Sequence, residues 1–351
     1  MINQIKIKKF IINSPFFFAP INTGLAKDGS PTNELISFHS KKSNNYTGIN
    51  YVGNIAISKL HTTNNNTLYI NENMNNYEKL VSSIKNHGSI AGAQIAAYNS
   101  KFTPQNKWIN KNTDKYLSIL SQEVSSYSYN DIKTLIDFFV EGILKLYNVG
   151  FEAIQLHAAH GYLLNSFISD TFNKRNDEFG KDRLLIIKEI ISKIDHIKKD
   201  IILDIRISLF EDSFLEALSS RHTQSLNRLY NYPDMDIISI SNGIYNIDKT
   251  LIYPPKIKGI NFLIPILKEY LFDKDKKIWN ISGNIRNLDE LPLKLKNFTY
   301  SIGRPILADN DFLPKFFKNR SSINNCLYCN KCHYYSRKAD FISCKVNSSI
   351  F

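Results

Sequence analysis

The stretch "EAIQLHAAHGYLLNSFIS", residues 152–169, sets His157 and His160 three residues apart and places Tyr162 just after them, in a chain with only eight histidines. Each neutral imidazole has one N–H to donate, and two donors meeting one oxygen can polarise a carbonyl or hold a phenolate. The phenol two residues on adds a proton donor. Taken alone, the pair reads more readily as one histidine satisfying a buried carbonyl and another opening a helix. A zinc site needs a third ligand, which the neighbouring sequence does not obviously supply.

A second constellation lies near the C-terminus. Cys326, Cys329, Cys332 and Cys344 are the chain's four cysteines, spaced C-x2-C-x2-C-x11-C. Such clustering, with no secretion signal, argues for a metal site over a disulfide framework. Four thiolates suit a [4Fe-4S] cluster or a zinc ion, and the spacing alone chooses neither, nor does it exclude a metal-free remnant.

Eight apolar runs must position these groups: Phe16 to Ala19, Gly48 to Ile57, Ile90 to Ala96, Phe151 to Leu156, Ile201 to Ile207, Asp236 to Ser241, Lys277 to Ile281 and Phe298 to Ile302. Helical patterns alternate with them. "NDIKTLIDFFVEGILKLYNVG" repeats apolar residues at helical spacing, with Asn130 as N-cap candidate and Gly150 closing, and "RLLIIKEIISKIDHIKK" does the same. Eight β/α units in somewhat over 300 residues fit a (β/α)8 TIM barrel over residues 1–320, with a short Cys-rich extension over 321–351. A doubly wound sheet is the alternative. His157 and His160 then fall just past strand four, on the face where such barrels build their sites. Two stretches longer than ordinary loops, after strands two and three, read as rims or lids.

The 351 residues are 43% hydrophobic, enough for a large core, and carry a formal net charge of +12. The lysines are spread along the chain with no dense basic stripe, so nucleic acid is not an expected partner; a diffuse positive field favours anionic ligands. The N-terminal "MINQIKIKKFIINSPFFFAPIN" imitates a signal peptide, but Asn13, Ser14 and Pro15 interrupt it, which favours a first core strand. No stretch approaches a membrane span. A cytoplasmic location is expected, and association into a homo-oligomer is left open.

"HAAHGYLLNSFISDTFNKRNDEFG" resembles, nearly position by position, the signature of the Old Yellow Enzyme family, FMN-dependent oxidoreductases built on a (β/α)8 barrel. The resemblance implies FMN, with Pro20, Ile21 and Asn22 of "FFFAPINTGL" beside its ring and Gly53 and Asn54 of "YVGNIA" under its edge. It further implies Gln94 of "AGAQIAAY" at the pyrimidine side and Arg206 of "LDIRIS" near N1 and O2. An amide can pair with a uracil-like edge, and a guanidinium stabilises a reduced-flavin anion. Alone, Gln94 would read as a strand-end polar residue and Arg206 as half of a salt bridge. Ser282, Gly283, Gly303 and Arg304, after strands seven and eight, occupy the usual phosphate position of this barrel and are assigned to the FMN phosphate.

The sequence departs from the family pattern where "AAYNS" follows Gln94 and where Asn22 and Asn54 stand. The cysteine tail is similar to the cluster segment of the 2,4-dienoyl-CoA reductase and trimethylamine dehydrogenase branch. In those members the chain continues into further redox domains, whereas this sequence stops at Phe351. A cluster here is expected to need an outside electron donor or to staple the C-terminus. The leading expectation is hydride transfer from NAD(P)H through FMN to an electron-poor alkene, with His157 and His160 holding the activating oxygen and Tyr162 as proton donor. The alternatives are an FMN/Fe-S electron-transfer protein without alkene reductase activity, and a flavin-free phosphate-binding isomerase or lyase.

Overall fold

In the computed structural model, residues 3–98, 113–209, 211, 234–245, 247, 249–254, 277–293 and 295–351 are described. Eight parallel strands form the barrel: β1 (Phe16–Phe18), β2 (Ile49–Ala56), β3 (Ile90–Ala96), β4 (Ala153–Ala158), β5 (Ile202–Ser208), β6 (Ile237–Ser241), β7 (Ile278–Ser282) and β8 (Phe298–Ile302). Each pairs with its neighbours in sequence order, and β8 returns to β1 through Tyr300 opposite Phe16, which closes the ring. Closure explains the near-continuous apolar runs. A strand covered by helices outside and packed against other strands inside has no wet face, so strict alternation is lost.

The N-terminal segment contains the expected first core strand, β1, and adds a hairpin ahead of it. Ile5–Ile7 and Phe10–Ile12 pair as an antiparallel hairpin ahead of β1. Its Ile5, Ile7, Phe10 and Ile12 pack against Phe17, Ile49, Ala153, Ile202 and Ile237, at or near the starts of the strands. The hairpin therefore plugs the end of the barrel opposite the histidines, and the lysines between its apolar residues stay outside. No helix among the described residues is long and apolar enough to cross a membrane.

One local expectation is corrected. The helix expected to start at Asn130 spans Tyr129–Asn148 and is capped by Ser128, whose hydroxyl accepts from Asp131 N–H while the Asp131 carboxylate accepts from Ser128 N–H. That reciprocal box satisfies two orphan amide donors, which Asn130 cannot do from inside the first turn. Of the long stretch after β3, read as a rim or lid, residues 99–112 lie outside the described residues, and the remainder contains a helix at Thr113–Ser126, with Leu120 and Val124 fully buried at i, i+4 spacing. Its polar flanks mask that short apolar stripe in the sequence.

Candidate active site

The strand ends present their side chains to a cavity of about 1510 Å³, partly open to solvent. Its wall is built first from β4 and the turn after it. Ile154, Leu156 and Ala158 are fully buried toward the helical layer, which turns Gln155 and His157 inward. Past the strand, His160 adopts a left-handed φ of 63° and Gly161 one of 81°. The turn is pinned by His160 N–H donating to Ser208 Oγ (2.9 Å) and Gly161 N–H donating to Asn165 Oδ1 (2.8 Å). A Cβ on Gly161 would approach Ile244 Cγ2 to 2.8 Å, so the close passage of β6's loop also demands glycine.

This turn brings three predicted groups together. The His157 and His160 rings lie 5.1 Å apart, edge to face, and Tyr162 sits 4.2 Å from His157, all by ring centroids. Burial holds the pKa of His157 well below the ordinary imidazole range, reinforced by Arg206; His160 is lowered by burial, then by His157 and Arg206. Both rings are therefore neutral at physiological pH, each with one N–H. Ser241 Oγ stands 2.7 Å from His160 Nε2 and fixes that ring. Burial raises the pKa of Tyr162 well above its usual value, with Tyr245, Tyr98 and Tyr334 adding to the rise and a Thr63 hydrogen bond opposing it, so the phenol keeps its proton.

The cavity floor carries Gln94, Asn54 and Arg206. Arg206 Nη2 donates to Ser241 Oγ and Ser282 Oγ, both at 3.2 Å. Gly53 lies between Pro20 and Gln94, where a Cβ would come within 2.9 Å and 3.0 Å of their Cβ atoms; only a glycine lets β1 and β3 crowd β2 so closely. Pro20 and Ile21 line the wall. Asn22 does too, but its amide donates to Thr63 and Thr67 hydroxyls (2.8 and 3.0 Å) and accepts from Tyr334 OH (2.9 Å). At the far end, Gly283 and Gly303 line the cavity, and a Cβ on Gly283 would find no atom within 4 Å. Ser282 donates to Ile240 O at 2.8 Å, so its hydroxyl is engaged in the floor. Arg304 is held by Pro254 O and Asn284 Oδ1 (2.8 and 3.0 Å) over the Tyr328 ring.

Several residues at the site carry no motif and were not expected there. Tyr98, Tyr245, Tyr253 and Tyr334 complete an aromatic enclosure around the histidines, with Tyr245 and Tyr253 hydroxyls 2.6 Å apart. Tyr245 lies soon after β6, where a survey of the loop beyond each strand would reach it. Tyr334 offers no such signal, because its neighbours Cys332 and Cys329 direct attention to metals.

The four cysteines make no disulfide and border one small space of about 350 Å³ beside Arg304 and Leu307. Among the described residues no three His, Cys, Asp or Glu side chains form a group that could hold a single metal ion. Burial pushes the Cys332 thiol up to about 12, so a thiolate there needs a bound cation to offset its charge. Cys332, His333 and Tyr334 also line the large cavity, which puts the two sites wall to wall.

The fit to FMN rests on unanswered donors. Arg206 Nε, Asn54 Nδ2 and His157 Nδ1 are buried without a hydrogen-bond partner, and all three residues line the cavity. Leaving such groups unpaired is costly, so a ligand rich in acceptors is the natural complement. Residues 2–234, well over half of the chain, match the NADH:flavin oxidoreductase / NADH oxidase family. The chain belongs to that family. An "NADH oxidase" of Thermoanaerobacter brockii is 24% identical over 348 residues, covering 93% of this chain and 52% of the relative. An "NADPH dehydrogenase" of Geobacillus sp. (strain WCH70) is 26% identical over 258 residues, covering 72% of this chain and 74% of the relative. The same fold appears in a 2-naphthoyl-CoA reductase complex, with a TM-score of 0.83 at 16% identity over 99% of this chain and 57% of the other. The chain thus spans only about half the length of the first and third of these proteins. Membership places the chain in a family of the Old Yellow Enzyme type, which implies FMN and NAD(P)H as cofactors.

Proposed function

We propose that this protein uses NAD(P)H and FMN to reduce an electron-poor carbon–carbon double bond conjugated to a carbonyl. One observation carries the reading: two neutral imidazoles and a protonated phenol are packed on one wall of the cavity whose floor holds Gln94 and Arg206. Bound FMN would supply the hydride chemistry, accepting from NAD(P)H and delivering to the alkene. His157 and His160 donate to the carbonyl oxygen and favour the enolate-like charge that builds there. Tyr162 gives its proton to the α-carbon. Gln94, Asn54 and Arg206 would hold the flavin ring, with Pro20, Ile21 and Asn22 along it, and Gly283, Gly303 and Arg304 its phosphate. The described cavity lining includes Arg206, Lys249 and Arg304 and no carboxylate, which suits neutral or anionic substrates better than cationic amines.

The test is anaerobic. The purified protein should be yellow, release FMN on denaturation and oxidise NAD(P)H with an enone. Tyr162→Phe should slow the enone step by about 100-fold or more while flavin reduction by NAD(P)H keeps its rate. A colourless protein that takes up no added FMN would sink the reading. The second reading is an FMN/Fe-S electron-transfer protein, favoured by the four cysteines around one space adjoining the cavity. Iron and sulfide bound together with NAD(P)H oxidation that no enone accelerates would select it.

A further inference from the structure

Beneath the cavity a chain of buried polar groups crosses the barrel axis. Gln94, Gln155 and Asp204 are register partners on β3, β4 and β5, so their side chains share one layer of the interior. Asp204 Oδ2 accepts from Gln155 Nε2 (2.6 Å), Tyr51 OH (2.7 Å) and Ser239 Oγ (2.9 Å). Gln155 Nε2 also donates to Ser239 Oγ at 3.0 Å. Both hydrogens of that nitrogen are then engaged, so Gln155 faces Gln94 with Oε1, which can only accept. Gln94 must answer with Nε2, and does at 2.7 Å. Its Oε1 and second N–H are left for the cavity. An isolated glutamine could present either end of its amide; this one is told which by a carboxyl one strand beyond its partner.

We propose that Asp204 and Gln155 are positioning residues that set the direction of the Gln94 amide, so that the cavity presents an acceptor to a ligand edge bearing an N–H. The proposal rests on the FMN reading, in which the ligand edge is the flavin's pyrimidine ring. A merely structural role would alter affinity for every flavin alike. A role in amide direction alters the preference between FMN and its N3-methyl analogue, which lacks that N–H.

Dissociation constants for both flavins, from fluorescence quenching, test it. The unmodified protein should prefer FMN by about tenfold or more, the loss expected for one unmade buried hydrogen bond. Gln155→Met, which keeps volume but removes the link, should shrink that ratio at least threefold. Asp204→Leu should do the same, and gives the answer if Gln155→Met fails to fold. Asp204→Asn should keep the ratio, because the donors converging there favour its amide oxygen, which can still accept from Gln155 Nε2. An unchanged ratio in Gln155→Met or Asp204→Leu overturns the positioning role alone, as does equal loss in Asp204→Asn and Asp204→Leu. No FMN binding by the unmodified protein overturns the cofactor reading and this proposal with it.

Discussion

The histidine wall and the cysteine tail adjoin one cavity, yet they are built in opposite ways. His157, Gln94 and Arg206 stand on barrel strands and His160 just beyond one, all four buried, in register with neighbours that orient them. The cysteines are only half-buried, on a segment with little regular structure whose Tyr328, Asn330 and Lys338 adopt left-handed φ values. The tail is tied down by contacts scattered along it, among them Ile342 N–H to Thr23 O at 2.7 Å, Lys42 Nζ to Ile350 O at 2.6 Å, and Tyr334, Ile342 and Ile350 in the main core. A strand-borne site is organised by folding itself, because the ladder that makes the strand also aims the side chain. A loop-borne thiolate site depends on what it binds, since binding energy is what orders it.

The comparison breaks first at the histidines. His157→Ala combined with His160→Ala should weaken binding of a phenol such as 4-hydroxybenzaldehyde by about 100-fold or more, with FMN retained. Loss of the long-wavelength charge-transfer band reports it. Survival of that band would show that the wall does not hold the oxygen.

A middle-sized effect comes from the floor. Burial raises Asp204 from 3.8 to about 6, its partners only partly opposing the shift. A carboxyl whose folded pKa exceeds its unfolded one stabilises the fold in its protonated form. That contribution is full below about pH 4 and is lost as pH rises through about 6. Asp204→Asn has no such loss. Its stability relative to the native protein should therefore improve by on the order of 2 kcal/mol between pH 4 and pH 7.5 in urea unfolding. Parallel stability curves would contradict an ionisable floor.

The smallest effect sharpens the contrast. Cys326→Ser with Cys329→Ser should abolish any bound iron while changing FMN affinity by no more than about threefold, because neither cysteine lines the large cavity and the Arg304 beside them is held independently by Pro254 O and Asn284 Oδ1. A tenfold loss of FMN affinity would mean that tail and barrel act as one unit.

The eight strands were legible because a closed parallel barrel writes each as a short apolar run, and the histidines because their position relative to strand four could be counted. Gln94 and Arg206 were legible only through a family resemblance; as single polar residues at strand ends they carry no signature. The hairpin plug was missed since two three-residue strands read like one interrupted run. Tyr334 was missed for a different reason. It meets Asn22 across 312 residues of chain, and no local pattern encodes such a contact.

The sequence by itself determined the order of strands, the side chains that end them and the thiolate spacing, because periodicity and residue chemistry are local properties. Only the tertiary structure decided that the histidines are neutral, that the tail's Tyr334 walls the cavity, and that Asp204 lies in register behind Gln94. Burial, proximity and hydrogen-bond direction exist only once the barrel has closed.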